Sequence, residues 1–190
     1  MMIATLVVAA TFTRAMERVA SVDPAFSTSV YDSRVVQLMY ETPLNIDYYA
    51  RPYKLTEGYC ALPEVSPDGL VYTFRTLHGP AEDMARSLRR LSDPELVSPN
   101  SWLMKSVDTI EATDDRTVVV KLKSRCHFFP WLLAMSASSV MRPDGSGTGP
   151  FELVKWWKNH EMVFKRRSPL PVPGSPKLFD TVRYLVIDDL

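Results

Sequence analysis

The chain has 190 residues with 22 basic and 22 acidic side chains, and 46% of its residues are apolar. The zero net charge leaves no basic surplus for phosphate contacts, which argues against a nucleic-acid-binding module. The apolar content is sufficient for a folded core, so intrinsic disorder is excluded, and the length predicts one domain with room for a small second lobe.

The first predicted elements are a strand and a helix. The apolar run over residues 3–10 is too short to span a bilayer, and no basic residue precedes it as in a signal peptide. We therefore interpret it as a buried strand over residues 5–10 and not as a leader. Apolar residues then recur at spacings of three and four, which predicts a helix over residues 30–41 with Ser29 as its N-cap.

Residues 44–63 contain four tyrosines and show no regular period: Tyr48, Tyr49, Tyr53 and Tyr59. We interpret this segment as irregular, with its aromatic rings packed against the core. A carbohydrate-stacking platform is the alternative.

The central part of the chain has the clearest local signals. The turn Ser-Pro-Asp-Gly at 66–69 precedes a strand with a period of two over residues 70–77. Pro80 then opens a helix with acidic residues in its first turn and a buried stripe of Met84, Leu88 and Leu91. The arginines near its end, Arg86, Arg89 and Arg90, complement the helix dipole, and we expect them to face solvent.

The remaining part of the chain predicts short elements. The glycine-rich stretch at 144–150 lacks the Gly-Lys-Ser/Thr ending of a phosphate loop and leads into a strand, so we do not expect phosphate binding there. The other predicted elements are a hairpin (107–112 and 117–123), a short apolar helix (128–135), a second hairpin (151–157 and 160–165), a proline-rich linker (169–176) and a final strand (181–187). This order indicates a mixed α/β or α+β fold.

No arrangement typical of catalysis or metal binding is present in the sequence. The three histidines are scattered, and no Cys-x-x-Cys pair occurs. Cys126 precedes His127, but neighbouring strand residues point to opposite faces, so we do not expect a thiol nucleophile. Cys60 and Cys126 could form one disulfide in an oxidising compartment, or they could remain separate thiols. We predict no enzyme activity, no metal and no cofactor.

Five sequence blocks occur in an informative order. They are Val-Asp-Pro at 22–24 before the first helix, Val-Ser-Pro-Asp-Gly-Leu at 65–70, Ala-Glu-Asp-Met-Ala-Arg at 81–86, Val-Asp-Thr-Ile-Glu-Ala at 107–112, and Gly-Thr-Gly-Pro-Phe-Glu at 147–152. Taken together, these blocks resemble the N-terminal part of the extracellular solute-binding proteins of the oligopeptide and dipeptide ABC importer family, family 5.

The resemblance implies a periplasmic-binding-protein-like first lobe with a small accessory domain. Residues 1–43 and 147–190 would belong to the sheet domain of that lobe, and residues 44–146 would form the accessory α+β domain. Members of the family continue into a second lobe, which is missing from this sequence. We therefore expect a truncated or degenerate form of the family.

The resemblance also implies a function outside the cytoplasmic membrane, in the periplasm or at the cell surface. The chain would capture a peptide or a similar small solute and deliver it to an ABC permease. The segment after Asp-Pro, at Thr28, Ser29 and Val30, would contact the ligand. The family has an aromatic residue after a Ser-Pro, where this chain has Asn100, and Trp102 could replace that contact.

Ser29 also suits helix capping, so a purely structural role for it is the alternative. The alternative for the whole chain is a non-catalytic structural or interaction protein that associates with itself through exposed sheet edges.

Overall fold

The computed structural model describes residues 5–10, 19–158, 160–167 and 179–186. Within these residues the strands are β1 (Thr5–Ala10), β2 (Leu44–Asp47), β3 (Lys54–Glu57), β4 (Glu64–Val65), β5 (Val71–Arg75), β6 (Val107–Ala112), β7 (Thr117–Leu122), β8 (Phe151–Trp157), β9 (Glu161–Arg166) and β10 (Thr181–Val186). The α-helices are α1 (Val30–Met39), α2 (Ala81–Leu91) and α3 (Phe129–Leu132). Short 3₁₀ turns occur at Pro24–Phe26, Ser101–Met104 and Ser136–Ser138.

One four-stranded sheet joins the two ends of the chain. Its strand order is β1-β10-β9-β8, in which β1 pairs with β10 in parallel and the other pairs are antiparallel. Helix α1 packs beside this sheet, and Val36 of the helix belongs to the same buried cluster as Phe164 and Val182. The strand predicted at residues 5–10 is confirmed.

A second four-stranded sheet, with the order β4-β5-β7-β6, is antiparallel throughout. Helix α2 packs against β6 and β7. The predicted stripe of the helix is fully buried, as are Phe74 of β5 and Val118 and Val120 of β7. Alternating apolar residues on the strands and an apolar stripe on the helix thus form one core, as the periodicity of the sequence predicts.

The two sheets have separate buried clusters. The first sheet uses strands from residues 5–10 and 151–186, and the second uses strands from residues 64–122. The domain boundaries expected near residues 43 and 147 stay a prediction.

Two local predictions were wrong. Residues 44–63 are not irregular throughout, because β2 and β3 form an antiparallel hairpin in which Leu44 pairs with Glu57. Each strand has only four residues, which is too short for a clear period in the sequence. The apolar helix expected at 128–135 is only the single turn α3, and a serine-rich 3₁₀ turn follows it.

The glycine-rich stretch before β8 packs closely against the end of α1. A Cβ atom on Gly147 would lie 1.9 Å from the carbonyl oxygen of Met39. The Gly149 N–H donates to the same oxygen at 2.8 Å. These glycines therefore serve close packing, because a side chain at Gly147 would occupy the space of the Met39 backbone. The predicted proline-rich linker lies outside the described residues.

Candidate ligand-binding site

The predicted ligand segment lies between the 3₁₀ turn Pro24–Phe26 and helix α1. The Thr28 side chain is exposed, and that of Val30 is 65% exposed. Ser29 forms a capping box with Asp32, because Ser29 Oγ accepts from the Asp32 N–H at 3.0 Å and the Ser29 N–H donates to Asp32 Oδ2 at 3.1 Å. The Ser29 hydroxyl is therefore engaged in capping α1, whereas Thr28 and Val30 present free side-chain surface.

Asn100, which lies between α2 and β6 in the chain, binds the backbone of this segment. It is buried, and its Nδ2 donates to the carbonyl oxygens of Ala25 and Ser27, each at 3.1 Å. Ser98 Oγ donates to the same Ala25 oxygen at 2.6 Å. Asn100 thus binds protein backbone, and its amide protons are both used for that purpose.

Trp102 follows Asn100 by two residues, in the 3₁₀ turn Ser101–Met104, and is 53% exposed. Because Asn100 bonds to Ser27, the structure brings the 98–102 segment next to the 25–28 segment. The contacts that join the two segments are buried, and the side chains of Thr28 and Trp102 are exposed beside them.

Hydrogen bonds among three serine hydroxyls connect the start of α1 to Ser136, which is distant in sequence. Ser27 Oγ lies 3.2 Å from Ser33 Oγ and 3.1 Å from Ser136 Oγ, and Ser136 Oγ donates to Ser33 Oγ at 2.9 Å. Hydroxyls can donate and accept at once, and Ser33 Oγ donates its own proton to the Ser29 carbonyl oxygen at 2.9 Å, so these groups are satisfied without charge. No local sequence pattern indicates this contact, because Ser136 lies 109 residues from Ser27.

An ion pair holds the other end of the segment. Arg90 of α2 donates to both carboxylate oxygens of Asp23, at 3.1 and 2.8 Å. Asp23 Oδ1 also accepts from the Ala25 N–H and caps the 3₁₀ turn. The hydrogen bonds to Asp23 raise the pKa of Arg90 above its ordinary value. This bidentate contact fixes both the position and the orientation of the turn.

The prediction that the arginines of α2 face solvent was wrong for two of the three. Arg90 binds Asp23, and Arg86 donates to the carbonyl oxygen of Met141. Arg86 also lies 3.7 Å from Asp83 of its own helix, and Arg89 pairs with Glu82 at an exposed position. Dipole complementarity explains why arginines suit the last turns of α2, but it cannot show which of them reach distant partners.

The two cysteines are both free thiols, so the bridge that could join them is not formed in this structure. Cys60 is buried, and its Sγ donates to the carbonyl oxygen of Pro43 at 3.1 Å. Burial raises the pKa of Cys60 to about 12. Cys126 is partly exposed and packs against the edge of the same core.

The histidines lie apart from one another. His78 Nδ1 lies 3.0 Å from Glu41 Oε1, and the His160 ring stacks on Trp157 with ring centroids 4.0 Å apart. Among the described residues, no group of three His, Cys, Asp or Glu side chains could hold a metal ion.

A concave feature that the sequence did not reveal lies at the opposite end of α1 from the predicted ligand segment. It is an open cleft of about 350 Å³ between the end of the helix and the β2–β3 hairpin. Both polar and apolar residues line it: Gln37, Tyr40, Glu41, Thr42, Asn45, Ile46, Tyr48, Ala134 and Pro150.

The family of the chain follows from a sequence profile. The profile of Bacterial extracellular solute-binding proteins, family 5 Middle, matches residues 80–190. The chain belongs to this family. The resemblance expected from the five sequence blocks is thus confirmed, and so is its restriction to the N-terminal part of the family's proteins.

Relatives with known roles share only part of their length with this chain. The glutathione-binding protein GsiB of Escherichia coli K12 is 27% identical over 190 aligned positions, which cover 89% of this chain and 36% of GsiB. The chain thus spans about a third of the length of this relative.

Solved structures show the same fold. The periplasmic binding protein DppA from Helicobacter pylori, in complex with the peptide STSA, superposes with a TM-score of 0.79 at 22% identity over 98% of this chain and 43% of DppA. AgaA of A. tumefaciens R10, in complex with agropinic acid, has a TM-score of 0.82 at 20% identity over 96% of this chain and 39% of AgaA. The chain therefore has a periplasmic-binding-protein-like fold that corresponds to part of each of these proteins.

None of the helices in the described residues has the length and apolar character needed to cross a membrane.

Proposed function

We propose that the chain provides one face of a solute-binding site in the binding component of an ABC importer, with peptides or similar small solutes as ligands. Family membership supports the general role. Relatives bind glutathione, a tetrapeptide or agropinic acid, so the scaffold accepts small solutes that differ in chemistry. Delivery to a membrane permease and a location outside the cytoplasmic membrane belong to the same proposal.

The observation that carries the proposal is the clamped segment at residues 23–30. Groups from distant parts of the chain hold it at three places: Arg90 binds the Asp23 carboxylate, Asn100 binds backbone carbonyls, and the Ser136 hydroxyl bonds to that of Ser27. The neighbouring side chains of Thr28, Val30 and Trp102 are left exposed. A rigid backbone beside exposed hydroxyl, aliphatic and aromatic groups suits a peptide, which offers amides to bond and side chains to pack.

The proposal gives separate roles to the predicted site residues. Thr28, Val30 and Trp102 would touch the solute. Ser29 and Asn100 would position the segment, since their side chains already bond within the protein. We expect no catalytic role, in line with relatives that are solute-binding proteins.

Peptide binding to single-residue variants tests the proposal. Isothermal titration calorimetry of the full chain with glutathione and with the peptide Ser-Thr-Ser-Ala should give saturable binding. Trp102→Ala should weaken it by about fivefold or more, since an aromatic contact contributes about 1 kcal/mol beyond its buried area.

Trp157→Ala is the matched control, because Trp157 is 57% exposed on a strand of the other sheet. An equal effect of the two substitutions, or no binding of any di- to pentapeptide, would refute the proposal.

A second candidate function is association through a sheet edge. Strand β8 lies at one end of its sheet in the described part of the chain, and its exposed residues include Val154, Trp156 and Trp157. An unpaired strand edge beside exposed tryptophans is suited to pairing with a second chain. Sedimentation that depends on protein concentration, and that Trp156→Lys abolishes, would favour this function.

A further inference from the structure

The cleft at the C-terminal end of α1 is separate from the surface proposed to bind peptides. Gln37 and Tyr40 line the cleft, whereas Thr28 precedes the first turn of the helix. The ten residues of α1 span about 15 Å. A ligand in the cleft would therefore not touch the clamped segment, and the following inference does not depend on the proposed function.

The polar side of the cleft has neutral, planar hydrogen-bonding groups. Asn45 is held in place, because its Oδ1 accepts from Thr42 Oγ1 and its Nδ2 donates to the Glu57 carbonyl, both at 3.0 Å. That nitrogen has a second proton, for which the described part of the chain provides no acceptor within bonding range. The amide of Gln37 is exposed on the last turns of α1. Two side-chain amides thus offer both donors and acceptors to a ligand.

The cleft has little charge for a charged ligand to pair with. Its single carboxyl group belongs to Glu41, whose Oε1 already lies 3.0 Å from His78 Nδ1. Burial raises the pKa of Glu41 above its ordinary value, and burial likewise raises the pKa of Tyr40. The second oxygen of Glu41 is shielded from solvent and has no hydrogen-bond partner in the structure. Among the described residues, no Lys or Arg lines the cleft to attract an anion, and the two Glu41 oxygens are either paired with His78 or shielded from solvent, so neither is open to a cation.

The apolar side of the cleft includes an aromatic ring in a fixed orientation. Tyr48 is 63% exposed, and its ring packs edge-on against Tyr53, with centroids 5.7 Å apart and an interplanar angle of 72°. Ile46, Ala134 and Pro150 complete this side. An exposed ring that a neighbour holds in place can stack with a flat apolar surface at little cost in side-chain entropy.

We propose that this cleft binds a neutral saccharide. A sugar ring has an apolar face of C–H groups and an edge of hydroxyls, which matches an aromatic ring opposite side-chain amides. The volume of about 350 Å³ is at the lower end of the ~300–1,000 Å³ range of small-molecule sites, which suits a mono- or disaccharide. Because the cleft is open, we expect weak, millimolar binding.

The sequence analysis expected the tyrosines of residues 44–63 to pack against the core, and of these four Tyr59 is the one that is buried. Tyr48, Tyr49 and Tyr53 are exposed instead, as the alternative of a stacking platform requires.

Saturation-transfer difference NMR on the full chain tests the inference. The probes are D-glucose, D-galactose, D-mannose, N-acetylglucosamine, maltose and cellobiose, each titrated to 20 mM. At least one sugar should give a saturable signal, and Tyr48→Ala should reduce its affinity at least fivefold. Gln37→Ala should reduce it as well.

Tyr49→Ala is the matched control, because Tyr49 is 98% exposed, adjacent in sequence and absent from the lining of the cleft. The Tyr49→Ala variant should bind the sugar with the affinity of the wild type. Urea unfolding of each variant verifies that the variant is folded.

Three results would overturn the inference. They are the absence of a saturable signal from every sugar, equal loss in Tyr48→Ala and Tyr49→Ala, and unchanged affinity in Tyr48→Ala. Binding of n-butylamine that Glu41→Gln abolishes, with no sugar signal, would instead assign the cleft to a cation. Loss of peptide binding in Trp102→Ala would leave the sugar signal unchanged, so the two proposals can fail separately.

Discussion

Replacing Asn100 tests whether the buried amide holds the ligand segment in place. Asn100→Ala removes two hydrogen bonds, each of which contributes about 0.5–1.5 kcal/mol. The Ala25 oxygen keeps its bond from Ser98, but the Ser27 oxygen loses the Asn100 donor inside the protein. An unsatisfied buried acceptor costs about 1–3 kcal/mol, so we expect the free energy of unfolding to fall by about 2–3 kcal/mol.

Asn100→Asp separates hydrogen bonding from side-chain volume. The carboxylate has nearly the same shape as the amide but has no protons to donate, and it would face two carbonyl oxygens. At pH 7 this variant should therefore be less stable than Asn100→Ala. Burial beside carbonyls would raise the pKa of the new carboxyl in the folded state, and the protonated form can donate one bond. Its stability relative to the wild type should thus recover as the pH falls towards 4.

Urea unfolding followed by circular dichroism at pH 7 and pH 4.5 measures these differences. Ser101→Ala is the control, since Ser101 is exposed next to Asn100 and its loss should change stability by less than about 0.5 kcal/mol. The reasoning is refuted if Asn100→Ala is as stable as Ser101→Ala, or if Asn100→Asp is the more stable of the two Asn100 variants at pH 7.

Two further predictions concern the region around the end of α1. Gly147→Ala should lower the free energy of unfolding by about 3 kcal/mol in urea titrations, because the new Cβ would overlap the Met39 oxygen. Gly145→Ala should cost only about 1 kcal/mol, since Gly145 has a φ of +81° but open space around it, and equal losses would contradict this explanation. Burial raises the pKa of Glu41 from 4.5, so the wild type should lose stability as the pH rises from about 4.5 through the raised value. Glu41→Gln should lack this decline, and parallel urea midpoints across pH 4–7 for the two proteins would show that Glu41 is not the cause.

The elements that the sequence predicted well have local signals. Helix α2 begins directly after Pro80 and buries the stripe spaced at three and four, while β5 buries Tyr72 and Phe74 as its period of two requires. Ser29 caps α1 as predicted. In each case the residues that determine the structure lie within one or two helical turns, or within a few strand positions, of one another. A short window of sequence therefore contains the information.

The contacts that the sequence did not predict join residues far apart in the chain. Asn100 reaches Ala25 across 75 residues, and Arg90 reaches Asp23 across 67. No local sequence pattern distinguishes an arginine that binds a distant carboxylate from one whose side chain is exposed to solvent. The candidate site depends on such contacts, so the sequence could suggest Thr28, Ser29 and Val30 only through the family resemblance. It could not assign capping to Ser29 and tethering to Asn100.

The clamped segment joins the two halves of the structure, and this position limits how its function can be tested. Ala25 belongs to the larger buried cluster, whereas Val35 of the following helix belongs to the cluster beside the first sheet. Substitution of Asp23, Asn100 or Ser136 would therefore alter both stability and the shape of the ligand surface. Thr28, Val30 and Trp102 are exposed, so their replacement should change ligand affinity while the urea midpoint stays constant. A loss of affinity in these three variants, without a loss of stability, would therefore report on contact with the solute alone.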